Sequence, residues 1–147
     1  MFDASDLATA METLDESQFE RLEVVHFDNH HFTSRCSENF IDAYRASKAD
    51  IRDPASLWLL TLRPSNWARR KHLERYVESS LCRPIEADEY FAEIDKYTET
   101  LMMELPEFLR RRDGLLRAQK MREEWADVAV MGEYERDFVV FHWETTV

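Results

Sequence analysis

Apolar residues recur every three or four positions over most of the chain, which predicts a mainly helical fold. The clearest stripe lies between 90 and 105 and has acidic residues on its opposite side. Its members are Tyr90, Phe91, Ile94, Tyr97, Leu101, Met102 and Leu105. Pro106 follows directly, so we expect a long helix that is kinked at this proline.

Three shorter stretches predict further helices. Asp53-Pro54 is a favourable helix start, and the SLWLLTL segment after it is apolar on most sides, which predicts a central buried helix. Residues 34–50 show helical spacing of Cys36, Phe40, Ile41 and Tyr44. Gly132 is suited to cap a helix whose apolar positions are Leu115, Leu116, Ala118, Met121, Trp125 and Val128.

Two segments have the composition of strands. Residues 23–27 (EVVHF) are β-branched and aromatic, and residues 137–143 (DFVVFHW) are typical of a strand that is buried on both faces. Each segment is the only obvious strand in the sequence with which the other could pair. We therefore predict a mainly α protein, α+β at the margin: a single-domain multi-helix bundle over residues 1–147, with a minor two-stranded sheet from residues 23–27 and 137–143.

Composition excludes several function classes. The chain has 2 glycines in 147 residues, whereas glycine-rich phosphate loops and dinucleotide fingerprints need several. Its 2 cysteines make no disulfide framework, which favours a reducing compartment. The acidic N-terminus lacks a signal-peptide pattern, and no apolar run approaches the ~20 residues of a membrane span. We expect a cytoplasmic protein without membrane contact.

The net charge of −11 is distributed in alternating blocks. Residues 1–60 carry a net −7, 61–83 +4, 84–108 −7, 109–122 +5 and 123–147 −6. The basic helices predicted at residues 63–83 and 109–122 can pair with acidic neighbours or contact a partner. The residues that would contact a partner protein are Trp67, Arg69, Arg70, Arg110, Arg111 and Arg112.

The densest set of metal-ligating side chains is His26, His30 and His31, with Asp28 among them. Imidazole and carboxylate suit zinc or another divalent transition metal, although the spacing matches no specific motif. The alternative is a surface turn with one histidine packed under a strand. His142 would join the cluster if the C-terminal strand pairs with EVVHF.

No catalytic motif is present, so we assign no catalytic residue and predict a non-catalytic protein-binding protein. It would be a small acidic inhibitor or antitoxin-like partner of a basic protein, or a subunit of a larger assembly. The alternatives are a hydrolase-like metal-dependent enzyme that uses His26, His30 and His31, and a nucleic-acid-associated protein that uses the basic helices. The excess of acids disfavours nucleic acid. Without the metal, no cofactor is expected.

The C-terminal residues Glu144-Thr145-Thr146-Val147 have the form that PDZ domains recognise, in which a free carboxylate is captured. The strand-like residues just before them favour an end that is part of the fold. The sequence leaves this choice, the partner's identity and the oligomeric state open.

Overall fold

A six-stranded antiparallel sheet dominates the fold, with helices on both of its faces. A computed structural model describes residues 1–33, 38–62 and 70–146, except for the side chains of residues 70–72. The prediction of a mainly helical bundle with a minor two-stranded sheet is therefore wrong. The protein is α+β, and the sheet is its main element.

The elements follow one another closely along the chain. The strands are β1 Glu23–Phe27, β2 Glu38–Ser47, β3 Arg83–Ile85, β4 Arg117–Glu124, β5 Asp127–Glu133 and β6 Asp137–Thr146. The helices are α1 Ala4–Thr13, α2 Pro54–Leu62, α3 Arg70–Glu78, α4 Ala87–Thr98 and the short α5 Glu107–Arg110, with 3₁₀ turns at Glu16–Arg21 and Asn29–His31. The strand order is β1-β2-β6-β5-β4-β3, and all neighbours are antiparallel.

The helix predicted over residues 34–50 is strand β2 from Glu38 onward, and Cys36 lies outside the described residues. Ile41 is buried on one face of the sheet and Tyr44 on the other. A strand that is buried on both faces has no polar side to reveal a period of two. The spacing of its apolar residues therefore fits a helix equally well.

Residues 115–132 form β4 and β5 rather than a helix. The same reason explains the error in β5, whereas β4 carries polar residues on both faces, such as Lys120 and Arg122, and contains a bulge. All of β5 is buried. Gly132 lies inside this strand and caps no helix. A Cβ atom there would come within 2.8 Å of the Tyr90 ring, so the glycine lets α4 pack closely against the sheet.

Both segments predicted as strands are strands, but their pairing is wrong. β2 lies between them: β1 pairs with one edge of β2, and β6 pairs with the other edge over ten residues. The prediction failed because it had assigned the central strand to a helix.

Each face of the sheet has its own apolar core. On one face, α1, α2 and α3 cover Tyr44, Met131 and Val140. The prediction that SLWLLTL is a buried helix is confirmed, since Leu57, Trp58 and Leu60 of α2 have no exposed surface. On the other face, α4 and α5 cover a core that includes Phe141.

The long helix that was predicted to kink at Pro106 does not form. α4 ends at Thr98, and Pro106 precedes the separate short helix α5. Within the described part of the chain, no helix has the length and apolar character needed to span a membrane.

Candidate functional site

Two neighbouring rows of polar side chains cross the sheet on the face that α2 covers. In the first row, His26 of β1 lies opposite Asp42 of β2, which lies opposite His142 of β6. In the second row, Glu144 of β6 lies opposite Asp127 of β5. Antiparallel pairing brings opposite residues within about 5 Å at Cβ, so the sheet register gathers these five ionisable groups.

The centre of this group is His142, which is fully buried beneath the Trp58 ring of α2. Its Nε2 atom lies 2.6 Å from Asp127 Oδ1 and 3.2 Å from Glu144 Oε1. The second oxygen of Asp127, Oδ2, accepts a 2.7 Å hydrogen bond from Arg122 Nε. Asp127 is therefore held between an imidazole and a guanidinium.

Burial and charge act in opposite directions on these groups. Burial disfavours the charged form of His142, but the hydrogen bond to Asp127 and the nearby carboxylates outweigh it and raise the pKa of His142. Burial likewise opposes ionisation of Asp127, and its contacts with His142 and Arg122 lower the pKa of Asp127 all the same. Glu144 has a raised pKa, because burial and the neighbouring Asp127 outweigh the attraction of His142.

Four of these five residues, all except Asp127, line a cleft of about 290 Å³. Residues from β1, β2, β6 and the end of α2 line it: His26, Phe40, Asp42, Tyr44, Thr61, His142 and Glu144. A second imidazole and carboxylate pair is found here, because His26 Nδ1 lies 2.7 Å from Asp42 Oδ1. Most of the residues that line this cleft are polar, so it is suited to a polar ligand.

Asp127, His142 and Glu144 are close enough together to bind one metal ion. One ligand atom from each lies within 4.8 Å of the other two, and no other set of three or more His, Cys, Asp or Glu residues does so among the described residues. Ligands that bind one ion at about 2.0–2.2 Å are separated by roughly 3 Å. An ion would therefore replace the 2.6 Å hydrogen bond that joins His142 to Asp127. Three protein ligands beside a cleft leave a position open for water or substrate.

The structure does not bring the three predicted metal ligands into such a group. His26 lines the cleft, but His30 and His31 lie on the 3₁₀ turn Asn29–His31. There, His31 Nδ1 is 3.3 Å from Asp28 Oδ1 and accepts a hydrogen bond from the Asp28 backbone, and its ring packs on Phe27. The His30 side chain is exposed.

Sequence reasoning missed Asp127 and Glu144 as site residues and named His142 only as a conditional member. His142 did not need to pair with β1, because β2 places Asp42 between the two histidines. One signal was available in the sequence: His142 and Glu144 are polar residues on alternate positions directly after the apolar run 138–141. Such an interruption of a buried strand indicates a polar site.

The second basic block, residues 109–122, is neither a helix nor a free cationic surface. Arg110 pairs with Glu104, Arg111 with Asp137 and Arg112 with Asp95. Trp67 and Arg69 lie outside the described residues, as does the side chain of Arg70. All three arginines thus have an acidic partner in the same chain, but Arg110 and Arg112 remain about half exposed, and their contact with a partner protein stays a prediction.

No protein-family model, curated protein or solved structure matches this chain.

Proposed function

We propose that the protein is a metal-dependent enzyme of the hydrolase type, whose ion is bound by Asp127, His142 and Glu144. The observation that carries this proposal is the convergence of these three side chains, two of which, His142 and Glu144, line an open cleft. The sequence alone suggested a metal site at His26, His30 and His31, whereas the site proposed here lies on strands β5 and β6.

The surroundings support a catalytic rather than a purely structural ion. Structural zinc sites are closed by four protein ligands, whereas three ligands and an open position are typical of catalytic sites. A divalent ion at this position would supply a Lewis acid that polarises a carbonyl or phosphoryl oxygen or activates water. Across the cleft, Asp42 fixes the ring of His26, which places a hydrogen-bonding group toward a substrate.

The first test is metal binding by protein that has been purified without an affinity tag and treated with a chelator. Titration calorimetry with Zn²⁺ and with Mn²⁺ should give one site per chain. Asp127→Asn and Glu144→Gln keep the shape of each side chain and should weaken binding at least tenfold, since each removes a charged ligand. His30→Ala is the matched control, and its affinity should equal that of the wild type.

The second test is activity. Chromogenic ester and phosphoester substrates should be hydrolysed by the metal-loaded protein, with loss of turnover on chelation and recovery when the metal returns. A wild-type chain that binds neither ion would refute the proposal. So would binding that His30→Ala abolishes and Asp127→Asn leaves intact.

Protein binding remains a second proposal, which the distribution of exposed charge supports. Residues 1–23 contain seven exposed acids against one base, Arg21, which pairs with Asp50. At low salt, the negative charge of this segment would attract a basic protein. A pull-down from native lysate should compare the wild type with a Glu12→Gln, Glu20→Gln variant. If the wild type and the variant retain a basic partner equally at every salt concentration, residues 1–23 are not the binding segment.

A further inference from the structure

A β-bulge decides which side of the sheet Arg122 reaches. Lys120 of β4 contacts α4 on one face, and strand alternation would direct residue 122 to that same face. The pairing of β4 with β5 shifts register between Lys120 and Arg122. As a result, Met121 and Arg122 both lie on the face that carries the site. Bulges next to active sites commonly re-aim a side chain in this way.

The contacts of Arg122 connect helix α3 to Asp127. Its side chain is 6% exposed, and Nε donates to Asp127 Oδ2 at 2.7 Å. Nη1 donates to Ser79 Oγ at 2.7 Å, just after α3, and the guanidinium lies 4.3 Å over the ring of Tyr76 in α3. Nη2 donates to Glu124 Oε1 at 3.2 Å. The guanidinium plane is therefore fixed from four sides.

These contacts determine which oxygen of Asp127 faces His142 and Glu144. Oδ2 is occupied by Arg122, which leaves Oδ1 directed at His142 and Glu144. Without the arginine, a largely buried Oδ2 would have no donor, and the carboxylate would turn to find one. In known metal sites, such partners of a ligand orient it, and their loss typically weakens metal binding 10–100-fold.

The positive charge of Arg122 works against a bound cation, so the two effects must be compared. Asp127 and Glu124 both neutralise this charge. Arg122 contacts Oδ2 of Asp127, whereas the proposed ion would bind Oδ1. Repulsion of the ion is thereby reduced, whereas the orientation of Asp127 depends on Arg122 directly. We expect orientation to prevail.

We infer that Arg122 is a positioning residue that fixes Asp127 as a metal ligand and couples helix α3 to the site. The inference rests on the proposed metal-binding function. It assigns Arg122 no contact with the ion or with a substrate.

The test is zinc titration of chelator-treated protein with Arg122→Met, Arg122→Lys and the control Arg117→Met. Arg117 is also on β4 and also pairs with a carboxylate of β5, Glu133, but it lies away from the cleft. Arg122→Met should bind zinc 10–100-fold more weakly than the wild type. Arg122→Lys keeps the charge without the fork-shaped donor set, so its affinity should fall between the two. Arg117→Met should match the wild type.

A second measurement detects the Arg122–Asp127 contact in the absence of metal. Arg122→Met, Asp127→Asn and the double variant are unfolded with urea in the presence of chelator. If the two side chains interact, the free energies of unfolding lost by the two single variants should add up to more than the loss of the double variant. Circular dichroism confirms that each chain is folded at the temperature of the zinc titration.

The outcomes separate this inference from the proposed function. A wild-type chain that binds no zinc would overturn the proposed function and the positioning role with it. Zinc binding that Arg122→Met leaves unchanged or tightens would overturn the positioning role alone, as would additive losses in the urea experiment.

Discussion

Lys120 provides the sharpest test of how this acidic chain accommodates its basic residues. Its side chain is 3% exposed, and Nζ lies 2.9 Å from Glu123, 3.0 Å from Glu89 and 3.5 Å from Glu93. Two of these acids belong to α4, so the ammonium joins that helix to the sheet. We predict that Lys120→Met destabilises the fold although methionine has a similar size.

The magnitude follows from what the substitution leaves behind. Removing one partner of a buried ion pair costs about 3–5 kcal/mol. Glu89 and Glu123 are half-exposed and keep Arg83, at 3.6 and 3.0 Å, so they lose less than buried carboxylates would. Glu93 is left with the main penalty. We therefore expect a loss of about 2 kcal/mol, which is a decrease in Tm of about 4–8 °C for a chain of this length.

The pH dependence of this loss has a defined sign. Hydrogen bonds to Glu123 and Glu89 outweigh burial and raise the pKa of Lys120, so its contribution is complete at neutral pH. Lys120 is also the main cause of the lowered pKa of Glu123. A carboxyl with a lowered pKa stabilises the fold above its unfolded value of about 4.3 and loses this contribution as the pH falls. The difference between wild type and Lys120→Met should therefore narrow toward pH 3.

The assay is urea unfolding at pH 7 and at several lower values, with Arg21→Met as control. Arg21 forms an exposed pair with Asp50 at 3.4 Å, and such pairs contribute about 0–1 kcal/mol. A loss for Lys120→Met no larger than that for Arg21→Met would refute the reasoning. An unchanged difference between pH 7 and pH 3 would refute the account of Glu123.

Three further predictions concern other parts of the fold. Burial opposes ionisation of Glu133, but Lys48 and Arg117 outweigh burial and lower the pKa of Glu133 from its usual 4.5. Its ionised carboxylate therefore stabilises the fold above pH 4.5, and this contribution is lost as the pH falls. The urea stability of Glu133→Gln should depend less on pH below 4.5 than that of the wild type. Gly132→Ala should cost about 1–3 kcal/mol in the same assay, because the added Cβ would lie 2.8 Å from the Tyr90 ring. Burial raises the pKa of the Cys82 thiol to about 11. At pH 8, iodoacetamide should therefore alkylate Cys82 on the order of a hundredfold more slowly in the folded than in the unfolded chain. Mass spectrometry of a Cys36→Ser variant measures both rates.

The candidate site could be predicted from the sequence only in part. The sequence suggested histidine and carboxylate as metal ligands, which are also the groups of the proposed site, and His26 lines the cleft. Glu144 is two positions from His142 on the same strand, but the other residues of the site come from positions 42, 122 and 127, which no local spacing connects to position 142. Strand register sets their proximity, and register depends on which strands pair. A helix assigned to β2 removed the strand that connects the two histidines.

The charge blocks show a similar division. Their signs and boundaries were visible in the sequence, but their meaning was not. Arg111 contacts Asp137, 26 positions away, and Lys48 contacts Glu133, 85 positions away, so carboxylates that are distant in sequence neutralise the basic residues. The remaining negative charge lies on exposed surface, notably in residues 1–23.

The sequence by itself determined the features that depend on neighbouring residues. Asp53-Pro54 begins a helix because its capping groups are local, and SLWLLTL is buried because it has no polar side. The EVVHF and DFVVFHW segments are strands because branched and aromatic residues suit that backbone. Only the tertiary structure decided that β2, β4 and β5 are strands. Burial on both faces removes the polar alternation of β2 and β5, and polar residues on both faces together with a bulge remove that of β4. The hydrogen bonds between neighbouring strands therefore decided these elements and, with them, the position of the site.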